Sequence, residues 1–424
     1  MPYRARRPKR AQPGDRPDVD ADRAQELRNL AERLAKAGAG LLIEAPGIDP
    51  IAVGREDRTR VQFRDAGAVE ALLDGHHLAL AEAYLHERID VEGSLEVVIP
   101  VTDHLAYESP SRLRELLWWL RYLLDRRGLG RRSIAHHYDR PPDFFLAWLD
   151  RTRSYTHGFY AGPDDDLSAA QTRKLQYAVD ALGLEPGMEV FDMGCGWGSF
   201  LEYAGARGIR VHGITLSRDQ HEFVSERIRA LALPCRVECV DFLDFQPERV
   251  FDAAVFMGSL EHLPDYRQVR RFLREQLSPR GGVYCDFVTS KQGRLGGAFM
   301  TRYIFPGVSN YVDVPGLVRA LLRAGLNVSE LGDDTLSCAF TVRDWARSLE
   351  REHGALARRH GELPVRAFLL YLWSSYHFLA TNRTQAYHLV ASRAPLALSH
   401  PRVAASASAT AATQSAPKAS PTRP

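Results

Sequence analysis

Residues 188–217 read MEVFDMGCGWGSFLEYAGARGIRVHGITLS. An apolar run closes on Asp192, three glycines follow at alternate positions (Gly194, Gly196 and Gly198), and then come a helical stretch, SFLEYAGARG, and a second apolar run, GIRVHGIT. Strand, glycine turn, helix, strand is the order that brings a backbone without Cβ atoms against a ligand at the end of a sheet. The spacing is G-x-G-x-G, not the G-x-G-x-x-G of dinucleotide folds. The second run ends in Gly213-Ile214-Thr215-Leu216-Ser217 with no ribose-binding acid. A dinucleotide is a poor fit.

From about residue 184 onward the same alternation continues. Short apolar strands (MEVFDM, GIRVHGIT, CRVECVDF, FDAAVFM and GGVYCDFV) are separated by helical stretches. This pattern predicts an α/β class fold, a Rossmann-like parallel sheet doubly wound by helices, whose right-handed crossovers collect the strand ends and their loops on one edge. Ligands of such folds bind there. S-adenosylmethionine carries a carboxylate, an ammonium and a sulfonium but no pyrophosphate, so it suits a turn that need not neutralise phosphate.

Bulk properties narrow the classes. The 424 residues carry 55 Lys+Arg against 53 Asp+Glu, a formal net charge of +2, which argues against a nucleic-acid binder that relies on its overall charge. No run approaches the roughly 18 apolar residues of a membrane span, and the opening MPYRARRPKR lacks the apolar segment of a secretory signal. A cytoplasmic protein is expected. The five cysteines, Cys195, Cys235, Cys239, Cys285 and Cys338, are odd in number and scattered, so neither a disulfide framework nor a metal site is expected.

Outside the sheet region, residues 1–20 and 398–424 lack an apolar period and read as tails. Residues 21–105 read as a small N-terminal α+β domain. Residues 106–132 read as an amphipathic helix in which Leu113, Leu116, Leu117, Leu120, Leu123 and Leu124 share a face, beside Trp118 and Trp119 and among seven arginines. Such a helix suits the headgroup layer of an anionic membrane, or equally a linker packing its leucines on the next domain. Residues 133–397 then form the sheet-bearing domain.

At this point a resemblance becomes specific. DMGCGWGSF followed by GITLSRDQ resembles the cyclopropane-fatty-acid and mycolic acid cyclopropane synthases, which are S-adenosylmethionine-dependent methyltransferases. So do EAYLHERIDVEG, IAHHYDRPPDFFLAWLDRTRSYTHGFY, MGSLEHLPDY, RYIFPG and FLLYLWSSYHFLATNRTQAYHLVASR, the last resembling a closing Tyr-rich helix. The resemblance implies a class I methyltransferase fold. It implies cofactor contacts from Asp192, Gly194, Cys195, Gly196 and Gly198, from Thr215, Leu216 and Gln220 after the second strand, from Asp241, Phe242 and Leu243 after the third, and from Tyr155 and Thr156 in the lid.

The implied reaction adds a methyl-derived carbon to the double bond of an unsaturated acyl chain. An isolated alkene is a weak nucleophile, so the site must place it in line with the sulfonium methyl, exclude water and stabilise a cation, for which aromatic faces serve. Tyr155, Phe159, Tyr160, Tyr303, Phe305, Tyr371, Trp373 and Tyr376 are the candidates. The cation then loses a proton, and the resembled family uses a bound bicarbonate held by Cys, Glu, His and Tyr. Glu261 and Tyr371 match that Glu and Tyr, His262 reads as structural, His157 stands where the Cys would be, and Phe287, next to Asp286, stands where the His would be. These departures bear on ring closure, and on the use of bicarbonate, more than on cofactor binding.

The expected partner is an unsaturated acyl lipid, reached by peripheral association with the inner membrane face. The product is a cyclopropane or a methyl branch, and the oligomeric state, a homodimer included, stays open. Competing readings are a methyltransferase of soluble acyl or natural-product intermediates and a non-catalytic lipid-binding paralogue.

Overall fold

The structure is a computed structural model and describes residues 18–55, 59–105, 140–263, 265–291, 297–305 and 311–393. The tails and the Arg-rich stretch at 106–132 fall outside the described residues, apart from 18–20. The chain divides into two compact units. One comprises Met1–Leu149, Leu295–Ser309 and Cys338–Arg383; the other comprises Asp150–Arg294, Asn310–Ser337 and Thr384–Pro424.

The first unit opens with the helix Ala21–Lys36, which starts where the Asp20 carboxylate accepts a hydrogen bond from the Arg23 amide. Its apolar stripe, Leu27, Leu30 and Leu34, is buried against a four-stranded sheet of order β2-β1-β3-β4. The strands are β1 (Leu41–Ala45), β2 (Ile48–Val53), β3 (Arg60–Phe63) and β4 (Ile89–Glu92). Much later in sequence, the helix Glu362–Ala380 joins this unit through Arg366. Its guanidinium donates to the carbonyls of Tyr84 (3.0 Å) and Ile89 (3.1 Å) and pairs with Asp90 at 2.5 Å. Phe144, Phe145 and Phe368 pack edge to face nearby, with ring centroids 5.1 to 5.6 Å apart.

The second unit is built on a seven-stranded sheet whose added strands are β5 (Glu189–Met193), β6 (Arg210–Thr215), β7 (Arg236–Cys239), β8 (Phe251–Met257), β9 (Leu277–Ser290), β10 (Asn327–Asp333) and β11 (Thr384–Ser392). Its order is β10-β11-β9-β8-β5-β6-β7. The five strands read from sequence are parallel, in register Asp192 with Gly213 on one side and with Val255 on the other. Apolar clusters cover both faces, one around Phe191, Phe256, Phe272 and Phe287 and the other around Leu175, Val190, Val211 and Val255. Burial on both faces explains why these strands are apolar without alternation.

The structure differs from the sequence expectation at 368–393, which is not helical throughout. The helix ends at Ala380, Asn382 takes a left-handed φ of 57°, and the chain returns as β11, antiparallel to both β9 and β10. The sheet is therefore mixed at this edge.

Candidate active site

The turn after β5 carries three left-handed glycines, with φ of 74° at Gly194, 53° at Gly196 and 80° at Gly198. The amides of Gly194 and Cys195 both donate to the Ile214 carbonyl at 3.0 Å, which fixes the turn against β6. A Cβ on Gly198 would lie 3.1 Å from Val224 Cγ2, whereas one on Gly196 would meet nothing within 4 Å. The backbone is thus bare toward open space at Gly196, and Gly198 leads directly into the helix Ser199–Gly205. The Cys195 thiol is buried and pushed well up by desolvation and by Asp192, so it is inert.

At the end of β6 the Thr215 side chain bonds Gln220 at 2.7 Å and accepts from the Ser217 amide at 3.2 Å. Ser217 caps the helix Arg218–Ala230. Leu216 lies inside this hydrogen-bonded turn. After β7, the Asp241 carboxylate accepts from the Leu243 amide at 2.9 Å, while the Phe242 ring is buried among Phe191, Phe256 and Phe272. Asp192, Gly194–Gly198, Thr215, Gln220 and Asp241 thus stand at the carboxyl ends of three neighbouring parallel strands.

The segment holding Tyr155, Thr156 and His157 is docked on the helix Leu167–Ala181. The Phe159 amide donates to the Ala170 carbonyl (2.9 Å) and Gln171 Nε2 donates to the Thr156 carbonyl (2.6 Å). Lys174, wholly buried, donates from Nζ to Thr156 Oγ1 and lies 3.7 Å from Asp286 Oδ2. The Thr156 methyl in turn packs where a Cβ on Gly258 would be only 2.5 Å away. Desolvation pushes Asp192 up to about 7, with Asp286 adding to the rise and Lys174 opposing it.

Glu261 follows β8. Its Oε1 accepts from the Val288 amide at 2.8 Å, and its Oε2 is shut off from solvent with no hydrogen-bond partner. Desolvation raises this carboxyl to about 7, the Val288 bond opposes the rise, Asp286 adds to it and His157 subtracts from it. His157 is buried and its Nε2 lies 3.1 Å from Asp334 Oδ2. The neighbouring His262 is pushed down to about 4 by burial, which keeps it neutral. Phe287 points into the apolar core, whereas Asp286 is the side chain on the Lys174 side of β9. Tyr371 belongs to the first unit, half-buried, with its ring 6.2 Å from those of Phe305 and Phe368.

Sequence reasoning did not reach Lys174, Gln171, Asp334 or His388. A lysine and a glutamine on the buried side of AQTRKLQYAV were the available signal for the first two; the others meet only through the sheet. Among the described residues no group of three or more His, Cys, Asp or Glu is arranged to hold a metal ion.

A family model described as mycolic acid cyclopropane synthetase matches residues 127–389. The chain belongs to this family. A second model, for a domain of unknown function, matches residues 51–109. As a mycolic acid cyclopropane synthetase family member, the chain is 28% identical over 315 residues to a probable fatty acid methyltransferase of Pseudomonas putida, covering 69% of this chain and 76% of that one. It is 30% identical over 268 residues to a tuberculostearic acid methyltransferase of Mycobacterium tuberculosis, covering 58% and 61%. The solved cyclopropane synthase MmaA2 of Mycobacterium tuberculosis has the same fold, with a TM-score of 0.57 at 23% identity over 62% of this chain and 98% of that one. The mycolic acid cyclopropane synthase CmaA1, solved with SAH and CTAB, gives 0.56 at 23% over the same shares. The family member described here is an S-adenosylmethionine-dependent methyltransferase with a class I fold.

Proposed function

We propose that this methyltransferase adds a methyl-derived carbon to the double bond of an unsaturated fatty acyl chain carried on a phospholipid. The observation that carries the reading is Glu261, a buried carboxyl with one unpartnered oxygen and a pKa near 7, on the loop after β8. A methyltransferase acting on an oxygen or nitrogen nucleophile needs a base before transfer; one acting on an alkene needs a base afterwards, to take a proton from the cation. The relatives' names add weight, one being a probable fatty acid methyltransferase and the other a tuberculostearic acid methyltransferase.

In this reading Gly194, Cys195, Gly196, Gly198 and Asp192 hold the methionyl part of S-adenosylmethionine, with Tyr155 and Thr156 closing over it. Thr215, Leu216 and Gln220 face the ribose, and the loop at Asp241 and Leu243 faces the adenine, with the Phe242 ring packed in the core behind it. When bound, the cofactor supplies an electrophilic sulfonium methyl. The open space before Gly196 and the lack of any lysine or arginine in residues 192–198 and 213–217 suit that ligand. Glu261 and His157 then serve as proton acceptors.

Bicarbonate is a poor fit. Phe287 is turned into the core and offers no hydrogen bond, and Asp286 places a carboxyl within electrostatic reach of Glu261, where a second anion would be repelled. A base borne by the protein takes its place, and the added carbon remains as a methyl branch beside a double bond instead of closing a ring. Access to the lipid is by peripheral association with the inner membrane face. No helix among the described residues is long and apolar enough to cross a membrane. Mass spectrometry of lipids from cells with and without the protein tests the reading: acyl chains heavier by one CH2 are expected only with it, and identical profiles would contradict it.

A further inference from the structure

We infer that Glu202 is a positioning residue for S-adenosylmethionine: through Arg153 it fastens the chain entering the lid to the two helices beside the glycine turn. The inference rests on the cofactor placement proposed above and adds what holds the segment of Tyr155 and Thr156 against it.

Three segments of the second unit meet on one carboxylate. Glu202 lies on the helix Ser199–Gly205, which leaves the glycine turn. Its Oε2 accepts from Arg153 Nη2 at 2.6 Å. Arg227, on the helix Arg218–Ala230, donates from Nε to the same oxygen at 3.0 Å and from Nη2 to Oε1 at 2.9 Å. Arg227 thus grips both oxygens in a fork, and Arg153 shares one of them. The helix of Arg227 also carries Gln220, which bonds Thr215. Aromatic contacts run alongside: the Phe223 ring stands edge to face with Trp197 of the glycine turn, centroids 5.6 Å apart, and the Arg153 guanidinium lies 6.0 Å from the Phe223 ring centre.

Arg153 bears two local costs. Its φ of 61° is left-handed, a region unfavourable to a residue with a Cβ, and its Nε is shut off from solvent with no hydrogen-bond partner. Such strain persists where the surroundings over-determine it. Here the preceding turn is firmly built: the Arg153 amide donates to the Asp150 carbonyl at 2.9 Å, and the Asp150 carboxylate accepts from the Thr152 amide and hydroxyl, both at 2.9 Å. Glu202 supplies the remaining constraint. With side chains only 16% and 25% exposed, Arg153 and Glu202 are screened by water less than a surface pair. Tyr155 follows two residues on, and beyond it Thr156 is held by Gln171 and Lys174. Tyr155 therefore stands between two anchors, one to the helices of the glycine turn and one to the helix Leu167–Ala181. Removing the first leaves the second, so the segment stays docked while its entry is no longer tied to the cofactor turn.

The test is calorimetry of S-adenosylmethionine binding to the full chain, with urea midpoints to check folding. Arg153→Gly keeps the left-handed backbone without its strain and leaves Glu202 paired with Arg227, so the chain should fold. Its affinity for S-adenosylmethionine should fall about tenfold, and KM for the cofactor should rise in step while kcat holds. Glu202→Gln should weaken binding to a similar degree, and combining it with Arg153→Gly should weaken binding no further, because each residue acts through the other. A lowered urea midpoint with unchanged affinity in Arg153→Gly, or losses that add in the double variant, would overturn the inference. Gly196→Val separates this from the placement beneath it: if that variant weakens binding and Arg153→Gly does not, only the role of Glu202 fails. If neither weakens it, the cofactor placement fails and the role of Glu202 with it.

Discussion

Glu261 Oε1 accepts a 2.8 Å hydrogen bond from the Val288 backbone amide, so the loop after β8 is tied to the end of β9 by a carboxyl whose other oxygen is left without a partner. A buried acceptor without a donor costs stability, and active sites are where such costs persist.

Glu261→Gln keeps the Val288 bond and removes the charge. Its kcat should fall by about 100-fold or more while calorimetry finds cofactor affinity unchanged. Because desolvation raises Glu261 from 4.5 to about 7, the folded state holds more protons than the unfolded state between those values. Its contribution to stability is therefore lost as pH rises toward 7, and activity that needs the carboxylate rises over the same range. The Gln variant should be more stable than the parent at pH 8 by about 1 to 3 kcal/mol, read from urea midpoints.

Gly196→Val tests the cofactor turn. Its φ of 53° costs a β-branched residue about 1 to 2 kcal/mol, and its side chain would enter the open space before the turn. Calorimetry should show S-adenosylmethionine affinity reduced at least about tenfold in a chain that still folds. Unchanged affinity would place the cofactor elsewhere.

Lys174 is a buried cation beside the buried Asp286. Lys174→Met leaves Asp286 and Asp192 uncompensated and should cost about 3 kcal/mol or more, whereas Lys174→Met with Asp286→Leu should recover part of the loss. Urea denaturation of the parent, both single variants and the double gives the coupling; additive losses would show that the pair does not interact.

Replacing Arg112, Arg114, Arg121 and Arg126 with Ser should release the chain from phosphatidylglycerol vesicles in a sedimentation assay, each basic residue near such a surface being worth about 1 kcal/mol. Equal partitioning of variant and parent would favour the linker reading of that stretch.

The five parallel strands were legible because each is a short apolar run bounded by turn residues, and the glycine turn after Asp192 set their polarity. β11 was not, since TQAYHLVAS is buried on nearly every residue and shows no alternation to separate it from the helix before it. Glu261 and His157 were reached through resemblance. Asp334, which meets His157, His388, which meets Asp334, and Lys174, which meets Asp286, were out of reach because residues far apart in sequence meet only when the sheet assembles. Phe287 and Asp286 show the limit of a one-residue alignment: strand alternation sends one to the core and the other to the charged side.

Incubating the full chain with S-adenosylmethionine carrying a carbon-13 methyl, together with vesicles of cis-unsaturated phosphatidylglycerol, tests methyl transfer to an alkene most directly. NMR of the extracted lipid should show the label as a methyl branch on the acyl chain, with a vinyl signal beside it. Calorimetric binding of the cofactor with no label in any lipid would contradict transfer to the acyl chain.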